Sequence, residues 1–321
     1  MASPQGVYFY DYNIEVDDQQ KEILNGLKSY PKRISPKYFY DQAGSSLFEA
    51  ITTLPEYYPT RCEIEILKNQ RVAIKQAVGE SCVLIEYGSG ASTKIRLLLD
   101  AIKPVAYVPL DISKDFLYES ALALRRDFPW LEIHATCLDY RKPASIPKSI
   151  EYAGQKVAYF PGSSLGNFSP QEQASFLQGV RQTVGDQGAL IIGLDRVKDT
   201  AVLNAAYNDK QGITAEFNRN ILNHINQISD SQFEPSQFSH RAFFNNEHKR
   251  IEMHLVSELD QMVQIYGERI LFKKGETITT EYSYKFTDEG FVEFAREYGF
   301  ECENIWQDEK QYFSLFYLRA I

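Results

Sequence analysis

Apolar residues along this chain follow two patterns, and the change between them divides it. Short apolar runs at Val83–Glu86, Ala106–Leu110, Leu131–Thr136, Lys156–Phe160 and Ala189–Leu194 are separated by longer stretches. Within those stretches, at Ser92–Ile102, Lys114–Asp127 and Pro170–Val184, apolar positions recur at helical spacing. A further helix is expected from Cys62 to Val78, where Ile64, Ile66, Leu67, Val72, Ile74 and Val78 are apolar. Strands alternating with helices at this spacing predict a parallel sheet covered on both faces. This part reads as a doubly wound α/β domain.

After Asp195 the rhythm changes. Residues 201–227 read as a helix interrupted near Gly212. Antiparallel strands follow at "HRAFFNN" and "RIEMHLVSEL", joined through "NNEHK", and then at "MVQIYGERILF" and "ETITTEYSYKF". A helix at "DEGFVEFAREYG" precedes "FECENIWQDEKQYFSLFYLRAI", which reads as a hairpin and suits an antiparallel edge closing the sheet. Up to Arg61 the chain reads as short helices separated by turns. The α/β domain is therefore expected in two pieces, 61–197 and 287–321. Residues 1–60 and 198–286 are expected to form a second, substrate-binding domain.

Composition narrows the chemistry. The chain has 321 residues, 44% of them hydrophobic, and a net charge of −9 without a basic cluster, which argues against a nucleic-acid partner. No run approaches the roughly 18 apolar residues of a membrane span. The first residues lack the basic start and apolar core of a signal peptide. Cys62, Cys82, Cys137 and Cys302 are scattered and form no CxxC, and the five histidines form no HExxH, so neither a disulfide framework nor a metal site is expected. A cytoplasmic, monomeric enzyme acting on a small molecule fits best. Aromatic residues stand out, with 21 Tyr and 20 Phe.

The turn "EYGSGASTK" carries the first chemical signal. Glu86, Gly88 and Gly90 close a strand and open a helix, but Thr93 stands where a dinucleotide fingerprint wants its third glycine. Lys94 follows Thr93 rather than glycine, so this is not a Walker loop. Asp111 ends the second strand, where a carboxylate accepts from ribose hydroxyls of either cofactor class. Asp139 and Tyr140 end the third, placed to meet an adenine amino group and ring. E-x-G-x-G resembles the first motif of the Rossmann-like, class I S-adenosylmethionine-dependent methyltransferases. The candidate cofactor-binding residues are Glu86, Gly88, Gly90, Ser92, Lys94, Asp111, Asp139, Tyr140 and Gly162. An NAD-dependent dehydrogenase is the runner-up, weakened by Thr93, and a non-enzymatic nucleotide-binding module is a third reading.

Longer motifs are more specific. "PKYFYDQAGSSLFEAITTLPEYYPTR", "PGSSLGN", "AAYND", "GITAEFNRN", "RIEMHL" and "TEYSYKF" occur in the order and spacing of the histidine Nα-methyltransferases that make hercynine for ergothioneine. The resemblance runs from about Lys28 to Ile321. It implies a class I methyltransferase sheet, parallel with an antiparallel C-terminal edge, plus an α+β substrate domain. It also implies trimethylation of the L-histidine α-amine by S-adenosylmethionine; relatives acting on another aromatic amino acid remain open.

The resemblance assigns Asn167 and Tyr207 to the substrate's amino-acid end. On pattern alone, Asn167 is equally a turn or helix cap, and Tyr207 a packing tyrosine. Period two puts Glu281 and Ser283 on one strand face, with Tyr282, Tyr284 and Phe286 on the other. The family reads the imidazole with that polar face; the bland alternative is a half-solvated strand. Met253 alternates with Ile251 and Leu255 as core residues do, whereas the resemblance puts it against the imidazole. Tyr40, Phe48 and Tyr57 suit a lid over a cation that grows from ammonium to trimethylammonium, or else a tyrosine-rich packing joint. Tyr40 and water are the candidate proton acceptors.

Overall fold

The apolar run Cys82–Tyr87 is buried at every position, as a strand is when helices cover both faces of its sheet. The computed structural model describes residues 6–12, 16–90, 93–139 and 154–321, among which the chain divides into two units. The first contains Cys62–Arg196, Phe286–Ile321 and the strand Val7–Asp11. Its described residues form an eight-stranded sheet in the order Val7–Asp11, Glu132–Cys137, Ala106–Asp111, Cys82–Tyr87, Gln155–Phe160, Ala189–Asp195, Phe313–Ala320, Phe300–Gln307. The pairings are parallel up to Ala189–Asp195, and Phe313–Ala320 then runs antiparallel to both its neighbours. Strand order reverses at Cys82–Tyr87. The carboxyl ends of Cys82–Tyr87 and Gln155–Phe160 therefore flank the switch point where such sheets bind ligands.

Helices Lys114–Asp127 and Pro170–Val184 have the expected bounds. The second starts in a capping box, with Ser169 and Glu172 each bonding the other's backbone. Four expectations are corrected. Val7–Asp11 belongs to the first unit as an edge strand: Val7 is buried, and the Tyr8 ring stacks on His134 at 4.8 Å. The single helix over Cys62–Val78 is two, Pro59–Asn69 and Arg71–Val78, because Gln70 leaves helical geometry. "MVQIYGERILF" is a hairpin, Gln261–Ile265 with Glu268–Phe272, because Tyr266 and Gly267 both take positive φ, the geometry of a tight two-residue turn. Phe286 is not on the face of Thr277–Tyr284, because its N–H bonds Asp195 O at 3.0 Å in the first unit.

The second unit, Glu15–Arg61 with Val197–Lys285, holds a four-stranded sheet in the order Lys32–Arg33, Thr277–Tyr284, Arg250–Ser257, Phe238–Asn245. Helix Ile213–Ser229 packs on helix Gln42–Thr53. Asp41 caps the latter, and its Oδ1 accepts from Gly44 N at 2.7 Å and from Asn220 Nδ2 at 2.8 Å. No described helix is long and apolar enough to cross a membrane.

Two glycines give opposite expectations. A Cβ on Gly44 would lie 1.7 Å from the Phe39 carbonyl oxygen, whereas one on Gly179, inside helix Pro170–Val184, would meet nothing within 4 Å. Gly44→Ala should cost about 2 kcal/mol or more, and Gly179→Ala should gain about 0.5–1 kcal/mol. Urea unfolding of both variants checks this; equal effects would contradict it.

Candidate active site

In the first unit the glycine turn is tied to the next strand, since the N–H groups of Gly88 and Ser89 both donate to Leu110 O, at 2.9 and 3.1 Å. Asp111 follows, and its carboxylate accepts from the backbone of Ser113 at 2.9 Å and from that of Gly90. Burial pushes the Asp111 pKa up, while these bonds hold it down. Glu86 is fully buried and accepts from the Tyr107 phenol. Burial drives its pKa to about 8 against the pull of Tyr107 and Lys94. Asp139 lies partly exposed beyond Glu132–Cys137; Ser92 and Tyr140 lie outside the described residues.

Lys94 does not stand alone. Its ammonium donates to Glu63 Oε2 at 2.8 Å, and the same oxygen accepts from Gly162 N at 2.9 Å. Tyr159 Oη donates to Glu63 Oε1 at 3.3 Å, and a Cβ on Gly162 would lie 3.4 Å from Lys94 Nζ. Glu63 therefore fastens two candidate cofactor residues to one buried carboxylate. It was not foreseen, although it shares a helix face with Cys62, Ile66 and Leu67, where a carboxylate is out of place. Asn167 ends the short turn Ser164–Asn167, and Ser169 rather than Asn167 caps the following helix. Capping is thus not its role.

In the second unit the aromatic candidates form one string. Tyr40 meets Phe48 at 5.8 Å, Phe48 meets Tyr57 at 6.2 Å, and Tyr57 meets Tyr207 at 6.4 Å, all edge-on, with Phe217 behind Tyr40 and Phe48. Arg61 anchors Tyr57 by donating to the carbonyls of Leu54, Pro55 and Tyr57. Tyr207 Oη donates to Ser283 Oγ at 3.0 Å, which joins the string to the strand Thr277–Tyr284.

That strand contains a bulge between Thr279 and Glu281. Buried Asn218 holds it, donating to His254 O at 3.0 Å and accepting from Thr280 Oγ1 at 2.6 Å. Beyond the bulge, Glu281 pairs across the sheet with Met253, and Ser283 with Ile251. Cross-strand partners share a face, so buried Met253 is both core residue and neighbour of Glu281. The other face is not apolar: Tyr282 and Tyr284 flank the Arg250 guanidinium at 3.5 and 5.3 Å, and Arg250 bonds Glu252 at 2.7 Å. Burial pushes the Glu281 pKa to about 7 against the opposing charge of Lys285. Lys285 was also missed, although period two continues the polar face from Glu281 and Ser283 to it.

Residues 19–320 match the family described as "Histidine-specific methyltransferase, SAM-dependent". The chain belongs to this family. It is 37% identical to the histidine N-alpha-methyltransferase of Mycolicibacterium smegmatis, over 92% of this chain and 93% of that one. The protein of the same name from Mycobacterium tuberculosis is 36% identical at the same coverage. Ergothioneine biosynthesis protein 1 of Neurospora crassa is 36% identical over 63% of this chain and 23% of that longer one.

As a histidine-specific methyltransferase the protein uses S-adenosylmethionine, and its residues fit that molecule. Among the described residues Glu86 Oε1 is buried without a hydrogen-bond partner, and a Cβ on Gly90 would meet nothing within 4 Å. An unpaired acceptor and an open backbone turn beside Asp111 suit a ligand carrying an ammonium and ribose hydroxyls.

Asp111→Ala should weaken S-adenosylmethionine binding by about 1.5–3 kcal/mol, the scale of hydrogen bonds to a charged group. Glu63→Gln should weaken it comparably without contacting it, by releasing Lys94 and Gly162. Calorimetry with S-adenosylmethionine checks both; unchanged affinity in Glu63→Gln would leave Glu63 a purely structural residue.

Proposed function

We propose that this methyltransferase trimethylates the α-amine of L-histidine to hercynine, the first step of ergothioneine biosynthesis, and that Glu281 selects the substrate. The carrying observation is a raised-pKa carboxylate beside Ser283 and Met253, on the strand that meets the aromatic string through Tyr207. In this reading Glu281 accepts from an imidazole N–H and Ser283 makes a second ring contact. Asn167 and Tyr207 hold the amino-acid end.

S-adenosylmethionine supplies a methyl group already activated by its sulfonium. The chain's own work is to align a neutral amine and remove its proton before each transfer. In this reading Tyr40, 41% exposed, passes that proton to water. Faces of Tyr40, Phe48 and Tyr57 suit an amine that loses one N–H per turnover and ends as a cation without donors. The proposal includes a cytoplasmic monomer that takes L-histidine and its methylated intermediates. Four free cysteines accord with a reducing compartment.

Isotope transfer from labelled S-adenosylmethionine onto a panel of amino acids tests the function. Histidine should take up label first, and a preference for another amino acid would overturn it. Glu281→Ala should lower kcat/KM for histidine and raise the relative rate on tryptophan, because an apolar ring no longer leaves a carboxylate unpaired. Met253→Val in the same chain should widen the pocket and enlarge the shift. An unchanged histidine-to-tryptophan ratio in both variants would remove Glu281 from recognition.

Protonation gives an independent check. With its pKa raised to about 7, Glu281 gains a proton as pH falls through neutrality, loses its charge and becomes a weaker acceptor. Histidine affinity should therefore fall towards acid by up to roughly tenfold per pH unit. Glu281→Gln should flatten that limb to the substrate's own titration. Identical slopes in the two proteins, measured by calorimetry, would contradict the assignment.

A further inference from the structure

Lys285 is only 5% exposed, and a buried ammonium is costly unless bonded and balanced by charge. Its Nζ donates to Ser283 Oγ at 2.8 Å and to Tyr207 Oη at 3.2 Å. Tyr207 Oη in turn donates to Ser283 Oγ at 3.0 Å. The three groups form a closed triangle.

The ammonium only donates, so both hydroxyls accept from it, and the Tyr207 phenol, the more acidic hydroxyl, donates on to Ser283. A serine hydroxyl has two lone pairs and one proton. With Lys285 and Tyr207 both donating to Ser283 Oγ, its acceptor capacity is used, and the hydroxyl proton must point out of the triangle. Glu281, the preceding side chain on that face, is an acceptor. The face thus offers one donor and one acceptor, the complement of a neutral imidazole with one N–H and one bare nitrogen.

We propose that Lys285 is a positioning residue for substrate specificity: it makes Ser283 a donor towards the unprotonated imidazole nitrogen and ties that contact to Tyr207 at the amino-acid end. This rests on the reading that Ser283 touches the imidazole. In this role Lys285 acts through Ser283 and Tyr207; its charge also bears on Glu281, so the variants are compared at a pH well above the Glu281 titration.

The experiment compares full-length Lys285→Met, Lys285→Arg, Ser283→Ala and the double variant Lys285→Met/Ser283→Ala, with histidine and phenylalanine as substrates. Lys285→Met should raise the histidine KM at least tenfold with kcat at saturation within about threefold of wild type. The histidine-to-phenylalanine ratio of kcat/KM should fall by a similar factor. Lys285→Arg, which keeps the charge and the donors, should recover most of that ratio. In the Ser283→Ala background, at a pH well above the Glu281 titration, Lys285→Met should change the histidine KM less than twofold, because its target is already gone.

A parallel loss on both substrates, or the same loss with and without Ser283, would overturn the proposal in favour of a structural role. If Lys285→Met does not fold, Lys285→Gln is read in the same cycle against the same criteria. The two readings fail differently. Unchanged histidine KM in Ser283→Ala refutes the imidazole contact itself, whereas a Ser283→Ala effect without any Lys285→Met effect refutes only the role of Lys285.

Discussion

Desolvating a carboxylate is costly, and this protein does so at buried Glu63 and Glu86 and at half-buried Glu281. Each is accommodated differently, and the difference sets what each is free to do. Glu63 has an ammonium, a backbone N–H and a phenol around it, so it organises protein. Glu86 has one oxygen bonded by Tyr107 and one without a partner among the described residues, so it retains capacity for a ligand. Glu281 has the charge of Lys285 acting on it and a pKa near neutrality, so its charge is conditional. Desolvation gives these three glutamates three distinct chemistries.

The second unit shows how backbone irregularity delivers such a group. A regular strand would continue one alternation through Thr280, and the bulge shifts it so that Glu281 stands opposite Met253. Asn218, from helix Ile213–Ser229, locks the shift by bonding strand Arg250–Ser257 and Thr280 together. Ser283 and Lys285 then follow on the same face. The face thus presents acceptor, hydroxyl and ammonium in that order.

Much of the first unit was legible in the chain. The limits of Lys114–Asp127 and Pro170–Val184 came directly from helical periodicity, and the central strands from apolar runs that are buried on both faces. The Glu86–Gly90 turn and Asp111 were legible because a tight turn and a strand-end acid are local features. Val7–Asp11 was not, because a five-residue edge strand with one buried residue and two tyrosines has no long apolar run to betray it. The break at Gln70 escaped for the opposite reason: apolar periodicity continues across it although the backbone does not.

Side-chain alternation along "TEYSYKF" put Glu281 and Ser283 together, since period two is a property of any extended chain. What covers each face is a matter of distant segments. Arg250 turns the tyrosine face into a cation-lined one, Tyr207 closes on Ser283 from 76 positions away, and Glu63 reaches Lys94 and Gly162 across 31 and 99 positions of sequence. Sequence determined the local geometry, because periodicity and turn chemistry act over a few residues. Only the tertiary structure decided which charges meet, because pairing a buried ion depends on groups that folding brings in from elsewhere.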